Sequence, residues 1–243
     1  MLIDRGLKAG FAPESFNLEN TEALEDIARL YFDAGADIVH TNTFGGSSLK
    51  LTSHHLGDHI EDINRNAITA VKKVAPKQGV VSVSCGPTGM ILKPYGDADP
   101  EDVYESFRQQ LAIAVDAGAD AVTVETMIDL EEAVLAVKAA KSVSDDLPVM
   151  ATMTFDPTPK GFFTIMGVSI EKAAQGLKAA GASVVGSNCG NGIEKMVEIA
   201  REFIKVTELP ILIQANAGLP ELRDGSPVYP ETPEFMAEKA RAL

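Results

Sequence analysis

The order of elements along this sequence predicts an α/β fold, a (β/α)8 TIM-type barrel that lacks its first and last strands within the 243 residues. Three observations carry that expectation. A short junction recurs as Asp33-Ala-Gly-Ala-Asp-Ile-Val39, Asp116-Ala-Gly-Ala-Asp-Ala-Val122 and Ala179-Ala-Gly-Ala-Ser-Val-Val185. Each copy closes an apolar-periodic helix, offers a glycine able to turn left-handed, and opens a β-branched strand. The strands are short and nearly continuously apolar, as expected of parallel strands covered on both faces. Strand and helix alternate throughout, which implies parallel pairing through right-handed crossovers. A doubly wound open sheet is the alternative, but Asn42-Thr-Phe-Gly-Gly46 after the first strand lacks dinucleotide-loop spacing and reads more simply as a tight βα loop.

Taken in order, the periodicity places helices over residues 21–34, 58–74, 100–117, 129–142, 169–180, 192–206 and 232–243. Strands fall over 37–41, 80–85, 121–125, 149–154, 183–188 and 211–215. Helix starts have local causes: Asp99-Pro100-Glu101-Asp102 sets a capping carboxylate before an N1 proline, and Thr232-Pro233-Glu234 repeats the device. A closed barrel needs two more strands than these, so residues 1–243 are expected to form one domain truncated at both ends. The irregular stretches 93–97 and 218–228 follow strands and are candidates for loops over a pocket.

In a barrel the reactive groups gather at the C-terminal strand ends. Here those ends carry Asn42 and Thr43, Cys85 and Gly86, Glu125 and Thr126, Thr154 and Asp156, Asn188 and Cys189, and Asn216. Glu125 is suited to anchor an ammonium group or to act as an acid or base; it also reads as a simple rim carboxylate. Asn42, Asn188 and Asn216 each donate and accept, which suits a zwitterionic substrate, although asparagine after a strand is also an ordinary turn former. Cys189, in Gly186-Ser-Asn-Cys-Gly-Asn-Gly192 before a helix, is a candidate nucleophile or soft metal ligand, or else a small buried hydrophobe. Cys85 with Glu125 is a further acid-base or covalent candidate. His40 lies within a strand and reads as an internal partner, while His54, His55 and His59 read as solvated; none has tight metal-ligand spacing.

Composition excludes several classes. A net charge of -14 would repel nucleic acid and anionic membrane surfaces, so neither is an expected partner. Two cysteines without a secretory signal fit a reducing, cytoplasmic compartment, and no run reaches the roughly 20 apolar residues of a membrane span. The acidic surface leaves a homo-oligomer open. There is no Gly-x-Ser-x-Gly elbow, phosphate-binding Walker loop or His-Glu-x-x-His helix.

Six motifs, in order, carry a family resemblance: Pro13-Glu-Ser-Phe-Asn17-Leu, Ala34-Gly-Ala-Asp-Ile-Val-His-Thr-Asn-Thr-Phe-Gly45, Gly86-Pro-Thr-Gly89, Val124-Glu-Thr-Met127, Asn188-Cys189 and Asn216-Ala-Gly-Leu-Pro220. On these the chain resembles the homocysteine S-methyltransferase family, the zinc-dependent barrel also found as the homocysteine-binding module of cobalamin-dependent methionine synthase. The resemblance implies methyl transfer from a methyl-corrinoid, S-methylmethionine or betaine to the zinc-activated thiol of homocysteine, giving methionine. It implies Cys189 as the first of three zinc cysteines, Glu125 and Asn216 beside the amino-acid substrate, and Asn42 and Thr43 as pocket-lining residues. A corrinoid would sit on a separate module or partner protein. Two family features depart: the adjacent cysteine pair of the last strand would fall beyond Leu243, and the Asp-Gly-x-Met-Gly loop would precede Met1. A noncatalytic or repurposed thiol-binding fragment without zinc is therefore the alternative expectation.

Overall fold

A computed structural model of the chain describes residues 1–8, 10–223 and 226–243. After 3-10 turns at Ile3–Arg5 and Pro13–Ser15 come α1 (Phe16–Glu19), α2 (Thr21–Asp33), β1 (Ile38–His40), α3 (Ser48–Ser53), a 3-10 turn at Gly57–His59, α4 (Ile60–Val74) and β2 (Val80–Cys85). Next are α5 (Pro100–Asp116), β3 (Ala121–Met127), α6 (Leu130–Val143), β4 (Val149–Met153), β5 (Asp156–Thr158), β6 (Gly161–Phe163), α7 (Ile170–Ala180) and β7 (Val184–Asn188). The last elements are α8 (Ile193–Val206), β8 (Ile211–Gln214), β9 (Glu221–Arg223), β10 (Ser226–Val228) and α9 (Pro233–Ala240). Six strands hydrogen-bond in the order β1-β2-β3-β4-β7-β8, which is the strand sequence of a (β/α) barrel without its closing strands.

The junctions form for the expected reason. Gly35, Gly118 and Gly181 follow α2, α5 and α7 with φ of 96°, 94° and 108°, where a side chain would be strained. Helix starts are capped by side chains: Asn20 accepts from the Ala23 amide, Asp99 from Glu101, Ser169 from Lys172 and Thr232 from Phe235. The backbone N–H groups that a helix leaves open at its first turn thereby find acceptors.

The chain forms two compact units, Met1–Val124 with Leu135–Val149, and Glu125–Val134 with Met150–Leu243. In the first, parallel registers set Val39 against Val81 and Val83 against Val122. Helix α4 buries Ile63, Ala67, Ile68 and Val71, its apolar stripe at helical spacing, and Val71 joins Ala28, Val39 and Val81 in one cluster. Each large aliphatic side chain fully buried in this way contributes about 1.5–3 kcal/mol. A second cluster joins Phe16, Ala23, Leu24 and Ala70.

In the second unit β4, β7 and β8 are parallel, with Met150 against Val184 and Gly186 against Leu212. Phe155 and Phe203, both fully buried, meet edge to face at 5.8 Å. Gly186 is required by close approach: a Cβ there would run into the Leu212 carbonyl of the neighbouring strand.

Periodicity missed the short elements. Helices α1 and α3 are four and six residues long, too short to show a repeat. The antiparallel pairs β5–β6 and β9–β10 consist of three-residue strands with no apolar run to announce them. The expected irregular stretch 218–228 contains β9 and β10, and its residues 224–225 lie outside the described residues. Helix α4 starts at Ile60 rather than 58, since Gly57–His59 forms a 3-10 turn before it.

Replacing Gly186 by alanine should destabilise the protein by about 3 kcal/mol or more, because the new methyl meets backbone rather than a movable side chain. Urea unfolding of G186A against the parent measures it.

Candidate functional site

In the second unit the strand ends are tied together by one amide. Asn188, 5% exposed at the end of β7, accepts with Oδ1 from the Thr126 backbone N–H at 2.7 Å and from the Thr152 hydroxyl at 2.8 Å. Its Nδ2 donates to Thr126 Oγ1 at 2.7 Å and reaches Glu125 Oε2 at 3.4 Å. A carboxamide has two donors and two acceptor lone pairs, so its capacity is filled. Orientation is fixed as well, because the Thr126 N–H can only face the carbonyl oxygen and so turns the amino group toward Glu125.

Thr126 has φ of 60°, a left-handed conformation that costs a β-branched residue about 1–2 kcal/mol. Its two bonds to Asn188 hold it there. This left-handed residue lies inside the last residues of β3, one place after Glu125, whose carboxylate is half-buried with Asn188 on one oxygen.

The loop after β7 is held as firmly. Cys189, at φ of 62°, donates its N–H to the Gln214 carbonyl at 3.1 Å, and its own carbonyl accepts from Asn191 N at 2.9 Å. Thr154 Oγ1 donates to the Asn188 carbonyl at 3.0 Å, and Gly190 at φ of 75° fits where a Cβ would lie 2.8 Å from the Thr154 methyl. Asn191 Nδ2 donates to the Phe155 carbonyl at 2.7 Å, and the Asn216 N–H to the Asn191 carbonyl at 3.0 Å. Asn216 Nδ2 then lies 3.9 Å from the Cys189 sulfur, a free and half-buried thiol. At the start of α8 the Ile193 N–H is taken by Glu231 Oε2 at 2.9 Å, so that helix end already holds an internal carboxylate.

Glu125, Asn188, Cys189 and Asn216 are thus brought together by β3, β7 and the residues following β8. The candidates of the first unit form a separate set. Asn42 Nδ2 donates to the Pro13 carbonyl at 2.8 Å and to Asn17 Oδ1 at 2.7 Å, while Asn17 Nδ2 returns a bond to the Asn42 carbonyl at 2.8 Å. The Thr43 hydroxyl is fully buried and donates to the Ser84 carbonyl at 2.8 Å, fixing the loop after β1 against β2. Cys85 is fully buried with its sulfur 3.6 Å from Gln110 Oε1. His40 Nε2 lies 3.1 Å from Thr123 Oγ1, and His54, His55 and His59 are exposed.

Several residues escaped the sequence reading. Glu14, 4% exposed, accepts the Gly45 N–H at 2.6 Å, and Gln110 donates to the Thr43 carbonyl at 2.9 Å. Asn64 donates to the Gly46 carbonyl at 2.9 Å. A signal existed for two of them, since Asn64 and Gln110 are polar residues on the largely apolar buried faces of α4 and α5. Thr152 gave none, being one polar residue inside an apolar strand.

Among the described residues no three His, Cys, Asp or Glu side chains are grouped to hold a metal ion. Cys189 offers one soft ligand, and a catalytic zinc takes three from protein. The described residues therefore fit one corner of a zinc site and not a whole one. No helix among them is long and apolar enough to cross a membrane.

Removing the Asn188 amide strands the Thr126 N–H and releases the strained turn. N188A should lose about 3 kcal/mol of stability, read from the denaturant midpoint, with the slope unchanged.

The chain matches the family model described as homocysteine S-methyltransferase over residues 3–243. It is 32% identical to the methionine synthase of Mycobacterium leprae and 31% identical to that of Mycobacterium tuberculosis, in each case over 96% of this chain and 20% of the relative. The chain thus spans about a fifth of the length of those relatives. Among solved structures, the homocysteine methyltransferase MmuM of Escherichia coli in its metallated form superposes with a TM-score of 0.73 at 18% identity, covering 87% of this chain and 78% of that one. At that identity the likeness concerns the fold. The family match over nearly the whole length is decisive, and the chain belongs to the homocysteine S-methyltransferase family.

Proposed function

We propose that this chain binds homocysteine and serves its S-methylation to methionine. The observation that carries the reading is the Glu125 carboxylate, held by a saturated Asn188 amide, in the same constellation as the free thiol of Cys189. A half-buried carboxylate fixed in this way suits a substrate ammonium, and Asn216, whose amide reaches the Cys189 sulfur, suits the same ligand's polar end.

Cys189 would hold zinc, together with ligands that the described residues do not group around it; when bound, zinc stabilises a thiolate while leaving sulfur nucleophilic. In the transfer a sulfur–carbon bond forms, the bond from the methyl group to its donor breaks with its electron pair leaving on the donor, and the thiol proton is lost. A methyl-corrinoid on a separate module, S-methylmethionine and betaine are the donors to compare. Cys85 and Cys189, neither of them in a disulfide, fit a reducing compartment, where this reading sets the protein.

Calorimetry with L-homocysteine, and turnover with each donor in the presence of zinc, test the reading. The parent should bind the amino acid. E125A should weaken binding by about tenfold or more, the weight of one charge-assisted contact, and, in a longer protein that supplies the other zinc ligands, C189A should abolish zinc uptake and turnover together. Binding without zinc uptake or turnover would favour a thiol-binding domain that does no chemistry; absence of binding by the parent would overturn the proposal.

A further inference from the structure

We infer that Gln214 is a specificity-determining residue of the amino-acid site, its side-chain oxygen accepting a hydrogen bond from the substrate ammonium. The inference rests on the homocysteine reading above and adds a residue to it. Gln214 closes β8 and is the register partner of Asn188 on β7. Partners in adjacent parallel strands project to the same face of the sheet, so Gln214 stands beside the amide that holds Glu125. Its backbone carbonyl takes the Cys189 N–H, which sets it next to the thiol loop as well.

What distinguishes Gln214 from its neighbours is an unused acceptor. Its Oε1 is buried and has no hydrogen-bond partner among the described residues. Two other side-chain atoms share that condition, Asn64 Oδ1 and Ser187 Oγ. Asn64 belongs to α4 in the first unit, and Ser187, one residue before Asn188 in the strand, projects to the opposite face. Among the described residues, Gln214 alone combines the orphaned atom with a place on the Glu125 and Asn188 face.

Buried polar atoms in folded proteins nearly always find partners, so an exception calls for an explanation, and at a strand-end constellation a partner that arrives with a ligand is one. Here the incoming partner must be a donor. Asn188 cannot satisfy it, since both of its amino hydrogens and both of its lone pairs are already used. An ammonium group carries three N–H donors and no acceptor. Glu125 supplies a charged acceptor for it and Gln214 a neutral one, while a ligand without the ammonium leaves Oε1 unsatisfied. That arrangement discriminates between an amino-acid thiol and a plain thiol acid by an uncompensated acceptor.

The test is a calorimetric titration of the parent and of Gln214→Met, a side chain of similar volume without the acceptor, against L-homocysteine and against 4-mercaptobutanoate, which lacks only the ammonium. Thermal unfolding of both proteins without ligand accompanies it. The variant should bind L-homocysteine about tenfold more weakly or worse, hold 4-mercaptobutanoate within about twofold of the parent, and melt no lower than the parent. Equal losses for both ligands, no loss for either, or a lowered melting temperature revealing a structural partner for Oε1 would overturn the role of Gln214 and leave the homocysteine reading standing. A parent that binds neither ligand would overturn both.

Discussion

The second unit depends on a single saturated carboxamide. Asn188 meets the Thr126 backbone, the Thr126 and Thr152 hydroxyls and the Glu125 carboxylate, and so decides where three strands end relative to one another. Because Thr126 is held left-handed by those bonds, the direction of the chain after Glu125 is set by a neighbouring strand rather than by local preference. Strain of this kind persists only where surrounding contacts over-determine it, and here it lies beside the half-buried Glu125 carboxylate.

The thiol loop is governed in the same way. Cys189 is left-handed, Gly190 passes the Thr154 methyl where a Cβ would clash, and the segment after β8 bonds back to the loop through Gln214 and Asn216. Glu231 closes the start of α8 on the Ile193 N–H and stands where a Cβ on Gly192 would collide with it. A loop that carries a thiol gains precision when its backbone is held by partners outside it.

The first unit solves the corresponding problem with amides and a carboxylate reaching from its helices and N-terminal turn. Asn17, Asn64 and Gln110 bond the backbone of the loop after β1, and Glu14 takes its Gly45 N–H. A buried loop would otherwise leave its N–H and C=O groups unsatisfied, which explains why polar side chains occupy positions on α4 and α5 that the helical stripe reserves for apolar ones.

The sequence by itself determined the alternation of strand and helix, the six parallel strands and the left-handed glycines of the recurring junction, because these follow from apolar periodicity and the steric freedom of one residue type. It also marked Glu125, Asn188, Cys189 and Asn216 as strand-end residues, and family motifs made them candidates. Only the tertiary structure decided that Asn188 holds Glu125, that the Thr43 hydroxyl and Cys85 are taken up inside the protein, and that the oxygen of Gln214 is left over. Whether a polar atom is used depends on which strands become neighbours and in what register. Periodicity along one segment carries no information about that pairing, which appears only when distant segments hydrogen-bond.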